Sequence, residues 1–492
     1  MSLAVWARVA MLGGVLLLSA CGESGTPSAA RTLTRAASVS APVKLSGESP
    51  FTGNCGLQGE FTPNREGSPH IAADPTNPDR IVVAWMQHRQ ANGGWLGGLT
   101  ATTRDGGKTW SRALLPASTQ CTGGGFPHAV DPWVGFGADG RAFVSSIATT
   151  IKPTSVGSLP SAAYLPAPGA VLVHRSDDGG ASWSPPFAVD PDDQGTLEDR
   201  DTLTPDPGNP RRVYVAWGKF VGAIPGPNLL YFSHSEDGGA TFSPGRQIYA
   251  PAGAAVLGVN TLAAPDGTLV VTFAEISVPS YAGAVGSKIR AIRSTDGGAT
   301  WSSPVDVAEY CWCTPKETET GAALASAGTT PSSGIAPDGT LYIGWVDQAA
   351  DGAYEIRFSR SADDGATWST PAVARRVLAP AMLPALAAGA GGKVAIVWHD
   401  LRNDVAGDQQ ITADWWMAYS GDHGQTWNEA HLAGPFDLRA AHDAATNSYR
   451  IGDYFGVTAL NEAFAAVLIQ ATSDAQSGPT DVYFVRVDMQ GT

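Results

Sequence analysis

The chain has 492 residues, 43% of them hydrophobic and 16% charged, with 58 glycines and 35 prolines. That mix suits many short strands joined by tight turns and argues against a helical protein. The formal net charge of −15 excludes a general nucleic-acid-binding face, which would have to be basic, but a local arginine cluster could still hold an anionic substrate in one cleft.

The first 20 residues read as a targeting segment. Arg8 precedes an apolar stretch, Val9 to Leu18, and Leu18-Ser19-Ala20-Cys21 follows, then Gly22. This resembles a bacterial lipobox, which implies lipidation at Cys21 and export to the cell envelope, on its periplasmic or cell-surface face. The apolar stretch is too short for a permanent membrane span, so contact with the membrane is expected through the lipid alone. Residues 21–50, rich in Ser, Ala, Thr and Pro, read as a flexible tether. Residues 51–492 form the folded body. In an exported chain the four remaining cysteines, Cys55, Cys121, Cys311 and Cys313, are expected in disulfides, with three pairings open. Cys311-Trp312-Cys313 lacks the partner group a zinc site would need.

Within the body one motif recurs six times, from Thr103-Arg-Asp105-Gly-Gly-Lys-Thr-Trp110 to Ser420-Gly-Asp422-His-Gly-Gln-Thr-Trp427. The aspartates between are Asp178, Asp237, Asp296 and Asp363, so successive copies stand 59 to 73 residues apart, as in a propeller or array. Its Asp and Ser/Thr side chains fold a tight turn on the backbone, glycine supplies a conformation other residues resist, and the closing Trp or Phe plugs the core. The motif resembles the Asp-box (BNR) repeat of the sialidase-like superfamily. The resemblance implies an all-β propeller of four-stranded blades, with each box joining a blade's third and fourth strands.

Hairpin signals run between the boxes and end in the apolar segments Arg80–Trp85, Arg141–Ser145, Arg212–Trp217, Thr268–Phe273, Leu341–Trp345, Lys393–Trp398 and Phe464–Ile469. Seven hairpins predict seven blades, with six as the alternative. The last blade has only three strands of its own, so its fourth is expected from residues 41–60, closing the ring and removing an exposed edge.

If the boxes share one face, the starts of first strands and the ends of second strands gather on the other, around the central channel. Polar residues there are Asp131, Arg200, Asp201, Arg450, Asp453 and Tyr454 on first strands, and Glu275, His399, Asp400 and Arg402 on second strands. Charge at such positions needs partners or a purpose. Sialidases hold the substrate carboxylate with three arginines and use a tyrosine assisted by glutamate as nucleophile, with an aspartate as acid/base. The resemblance therefore implies a clamp of Arg200, Arg402 and Arg450, Tyr454 as nucleophile, Glu275 as its base, and Asp131 or Asp201 as acid/base. His399, Asp400 and Asp453 complete the expected substrate contacts. The Phe/Tyr-Arg-Ile-Pro signature of sialidases is absent: Arg450-Ile451-Gly452 lacks its proline.

Three activities fit: an exo-glycosidase, with exo-α-sialidase as the specific form, a glycan- or protein-binding propeller without turnover, and a polysaccharide lyase. The expected partner is a carbohydrate and the expected state a monomer. No cofactor is called for. The loop Asp190, Asp192, Asp193 offers hard oxygens to Ca²⁺ but lacks EF-hand spacing and reads as a solvated acidic loop.

Overall fold

The computed structural model describes residues 37–150, 168–192, 196–221, 227–277, 284–324, 330–443, 448–474 and 478–489. The targeting segment, Cys21 and Asp193 lie outside the described residues. The described chain is all-β, with three short 3₁₀ turns as its helical content, and no described helix is long and apolar enough to cross a membrane. Its antiparallel ladders are consistent with a β-propeller.

The first sheet runs Phe61–Asp74, Asn77–Gln90, Trp95–Thr103 and Ser111–Leu114. The second repeats it with His128–Phe136, Ala142–Thr149, Gly169–Ser176 and Phe187–Asp192. An eight-stranded sheet follows. It consists of two such ladders, begun by Leu197–Pro205 and Ala254–Ala263, joined at the single parallel pair Asn228↔Ala255. The fifth ladder begins at Ser332–Ile335 and the sixth at Ala381–Ala388. The last contains Gly456–Ala459, Ala463–Ala471 and Thr480–Asp488, and Ser38–Val39 and Val43–Lys44 pair antiparallel with its third strand. The inner strand of each ladder packs on that of the next, and the last returns to the first.

The fourth strand of the last ladder overlaps the 41–60 stretch expected to supply it at Val43–Lys44, but it begins earlier, at Ser38–Val39, inside the stretch read as tether. The reason is local. Val39 and Val43 pack against the main core, Leu45 is 4% exposed, and Lys44 Nζ and Ser46 Oγ both donate to the buried Asp481 carboxylate. A few apolar residues with a buried counter-charge are enough to fix a strand in a polar segment. Downstream, a disulfide joins Cys55 to Cys121 across 66 residues, and another joins Cys311 to Cys313.

Second strands fall where the hairpin signals place them. They read as continuous apolar runs because neighbouring ladders cover both their faces. Trp85, Trp217, Phe273, Trp345 and Trp398 hold the same place near their ends and are fully buried, each worth roughly 1.5–3 kcal/mol of transfer free energy.

The boxes are alike in detail. In the third, Asp237 Oδ1 accepts from Ser235 Oγ and from the Ala240 and Thr241 N–H groups, while Oδ2 accepts from Thr241 Oγ1. These donors hold the carboxyl down, to about 2 for Asp178, Asp237, Asp296 and Asp422. Each turn also seals a seam. Gly107 sits at φ +97°, and a Cβ there would lie 2.4 Å from Phe484 of the last ladder. Only glycine allows both the turn and that approach.

Candidate functional site

Inner strands share one irregularity at their starting ends. The register slips between Gly67 and His70, Val130 and Trp133, Asp199 and Thr202, Leu257 and Asn260, and Met382 and Ala385. At each slip one residue is left-handed: Ser68, Asp131, Arg200, Gly258 and Leu383, with φ from 45° to 61°. An extra residue bends a strand and re-aims its side chains. Here five bulges face one mouth. Four of the five residues have a Cβ, so the mouth holds backbone strain of the kind that gathers at functional sites.

The bulges bring together Asp131, Asp199, Arg200 and Asp201, and the last ladder adds Arg450, Asp453 and Tyr454. Arg450 is ion-paired to Asp453, and Arg200 donates to the Asp453 carbonyl at 3.1 Å while its other nitrogen stands 3.9 Å from that carboxylate. Asp201 is 2% exposed, and its oxygens make no well-formed hydrogen bond, although Ser145 Oγ lies alongside. Burial pushes the Asp201 carboxyl well up. Burial and the Asp453 charge raise Asp131 to about 7, against the pull of Arg200. Burial raises Asp199 to about 6. Asp131 and Asp199 can thus hold or release a proton near neutrality.

An aromatic layer floors the mouth. His70 stacks on Trp133 at 3.7 Å between centroids, and Tyr454 leans on Trp133 at 5.6 Å. His70 Nδ1 accepts from the Val134 N–H and burial holds its pKa to about 3, so the ring is neutral and carries its proton on Nε2. Above the layer the mouth leaves about 30 Å³ open, the room of one water. Beyond it, an axial cavity of about 290 Å³ runs along the inner strands.

Several sequence-derived roles do not survive this geometry. Arg402 is not at the mouth. It is held by Asp400 and Glu429 and lies over Trp416 at 3.9 Å. Asp400 is fully buried, accepting from Trp398 Nε1 and Arg402, and His399 is buried against Trp415 and Phe455 with neither ring nitrogen bonded. Second-strand ends here turn their side chains into the seams between ladders rather than toward the axis, so none of the three lies at the mouth. Glu275 accepts from Tyr249 at 2.6 Å and pairs with Arg290, so it cannot serve Tyr454. Tyr454 itself donates to the Pro132 carbonyl at 2.8 Å, and burial with the nearby Asp131 and Asp201 pushes its pKa well up, the opposite of an activated nucleophile. Asp190 is paired with Lys219 at 2.8 Å. Among the described residues no group of three or more His, Cys, Asp or Glu side chains is placed to hold a metal.

Sequence reasoning reached Asp131, Arg200, Asp201, Asp453 and Tyr454 but missed the bulges behind them. A signal was present at three of the five: Ser68-Pro69, Asp131-Pro132 and Leu383-Pro384 stand at inner-strand starts, whereas Arg200 and Gly258 have no proline after them. Proline is excluded from regular central strands and marks a bulge.

No family model matches the sequence, and no curated protein matches it. Among solved structures it is similar to a protein of unknown function from Dyadobacter fermentans, at 13% identity over 92% of this chain and 99% of that one, with a TM-score of 0.48. It is also similar to a polysaccharide lyase of the PL25 ulvan-lyase family (13% identity, 88% and 96% covered, TM-score 0.48). A third similar structure is an alpha-L-arabinanase from Penicillium chrysogenum (10% identity, 92% and 99% covered, TM-score 0.44).

Proposed function

We propose that the chain is an exported, lipid-anchored glycan-acting propeller whose mouth hydrolyses a glycosidic bond at the end of a neutral sugar chain. One observation carries this reading: a protonatable buried carboxyl, Asp131, meets an ion-paired carboxylate, Asp453, at one mouth. Glycoside hydrolysis needs such a pair, one acid to protonate the leaving oxygen and one carboxylate to serve as base or nucleophile. Asp131 takes the first role and Asp453 the second, while a protonated Asp201 donates a hydrogen bond to a sugar hydroxyl. Arg200 and Arg450 fix Asp453.

The choice of a neutral sugar follows from charge. Two guanidinium groups face four carboxyl groups, and both arginines are engaged by Asp453. A sialic acid would need free forks for its carboxylate. The exo-α-sialidase form therefore loses its support, and with Tyr454 committed to the Pro132 carbonyl and the His70 Nδ1 lone pair taken by the Val134 N–H, neither the tyrosine nor the histidine is placed to serve as a lyase base. The ring is read as seven blades closed by residues 38–44. Support comes from seven ladders in series, the return of the last inner strand to the first, and the seating of Gly107 on Phe484. The chain is read as a monomer.

A panel of neutral aryl glycosides and aryl sialosides tests this. Cleavage of a neutral member that Asp131→Asn abolishes supports the reading. Cleavage of sialosides alone overturns the substrate class. The narrow mouth favours a second reading, glycan binding without turnover. It prevails if no member is cleaved while a glycan binds and Asp201→Asn weakens that binding.

A further inference from the structure

The repeat breaks at one place on the Asp-box side. Three arginines precede boxes: Arg175, Arg293 and Arg360. Arg175 reaches the next box, donating to the Gly238 carbonyl at 3.4 Å, and pairs at 2.9 Å with Asp177 inside its own box. Arg293 faces the carboxylates of Asp363 and Asp364 in the next box. Arg360 makes the same reach, donating to the His423 carbonyl at 3.4 Å, but both balancing carboxylates are gone. Ala362 stands where Asp177 stands in the second box, and His423 where Asp364 stands in the fifth. Among the described residues Arg360 has no carboxylate partner. Asp338 acts on its neighbours Tyr342 and His423 without bridging to it.

The unbalanced guanidinium lines a groove of about 420 Å³ with Trp368, Thr340, Thr367, Ser369 and His423. Trp368 differs from its counterparts too. Trp110, Trp301 and Trp427 donate their indole N–H to a glycine carbonyl of the box, and Trp183 to Thr100 Oγ1, whereas Trp368 Nε1 has no acceptor. The groove thus gathers a cation without a carboxylate partner, an indole and hydroxyl-bearing side chains where the other boxes satisfy themselves.

We propose that this groove is a second carbohydrate site, one for an acidic sugar unit. The guanidinium fork takes a carboxylate, and the indole offers an apolar face to the ring. It is separate from the mouth, on the other face, and stands whether or not the mouth is catalytic. A propeller that cleaves neutral ends would then hold an acidic polysaccharide by its rim.

The test is calorimetric titration of the full chain with trigalacturonate and with its methyl ester, which keeps the shape and removes the charge. Trigalacturonate should bind and its ester bind at least tenfold more weakly. Arg360→Gln should weaken acid binding at least tenfold. Ala362→Asp should do the same by giving Arg360 the internal partner that Arg175 already has, at the position where the second box already carries Asp177. Asp201→Asn, at the mouth, should leave this affinity unchanged. Equal binding of acid and ester, an unaffected Ala362→Asp variant, or no binding of trigalacturonate at about 10 mM, where even a millimolar site would be nearly saturated, would overturn the proposal. Binding of a sulfated disaccharide but not of trigalacturonate would overturn the carboxylate assignment.

Discussion

The two faces of the molecule treat the aspartate side chain in opposite ways. On the box side each carboxylate is surrounded by donors from its own turn, is held low, and does the same work six times. At the mouth, Asp131 from one inner strand and Asp199 and Asp201 from the next are buried and held high. The first arrangement contributes stability and the second costs it. Repetition marks the scaffold, and departure from repetition marks where a ligand could act, both at the mouth and beside Arg360.

The largest expected effect comes from removing what both faces depend on. Deleting residues 37–46 withdraws Leu45, Lys44 and Ser46 and leaves Asp481 buried without two of its donors. Uncovering a strand edge and a buried charge together should cost at least about 3–5 kcal/mol, seen as aggregation on size-exclusion chromatography or a collapse in Tm. A deletion variant with unchanged Tm would refute the closure.

Asp131→Asn separates the faces functionally. Turnover of a cleavable glycoside should fall by about 10²–10⁴, the usual weight of a general acid, with Tm unchanged or raised at neutral pH. A loss confined to KM would make Asp131 a binding residue instead. In contrast, Asp237→Ala should leave turnover intact at low temperature. It removes four hydrogen bonds from one turn and should cost roughly 1–3 kcal/mol, read as a Tm lower by a few degrees.

The smallest effect is the most discriminating. Asp131 and Asp199 have folded pKa values above the ordinary value of 3.8, so the folded state binds more protons than the unfolded one between about 4 and about 6 to 7. Their contribution is fully present below pH 4 and is lost as pH rises through about 7. Box aspartates behave in the reverse sense: their contribution is present above pH 4 and lost as pH falls through about 2. Asp131→Asn should therefore raise Tm at pH 8 by a degree or more and show no gain at pH 4, while Asp237→Ala should lose its penalty only in strong acid. Parallel pH–Tm curves for the two variants would contradict the contrast.

The sequence by itself determined the repeating parts. Box residues contact partners within a few positions, so their geometry is readable from spacing, and second strands covered on both faces must be apolar. It also placed Asp131, Arg200, Asp201 and Asp453 near one mouth, because strand alternation puts inner-strand starts together. Only the tertiary structure decided which way side chains point. His399, Asp400, Arg402 and Glu275 sit at strand ends as expected, yet they are consumed by neighbours: Asp400 by Trp398 and Arg402 two positions away, and Arg402, His399 and Glu275 by Glu429, Trp415 and Arg290 on other strands, a choice of partner that no local pattern encodes. The bulges decided the rest. A left-handed residue re-aims a side chain by one position, and the strain is affordable only because adjacent ladders hold the backbone in place.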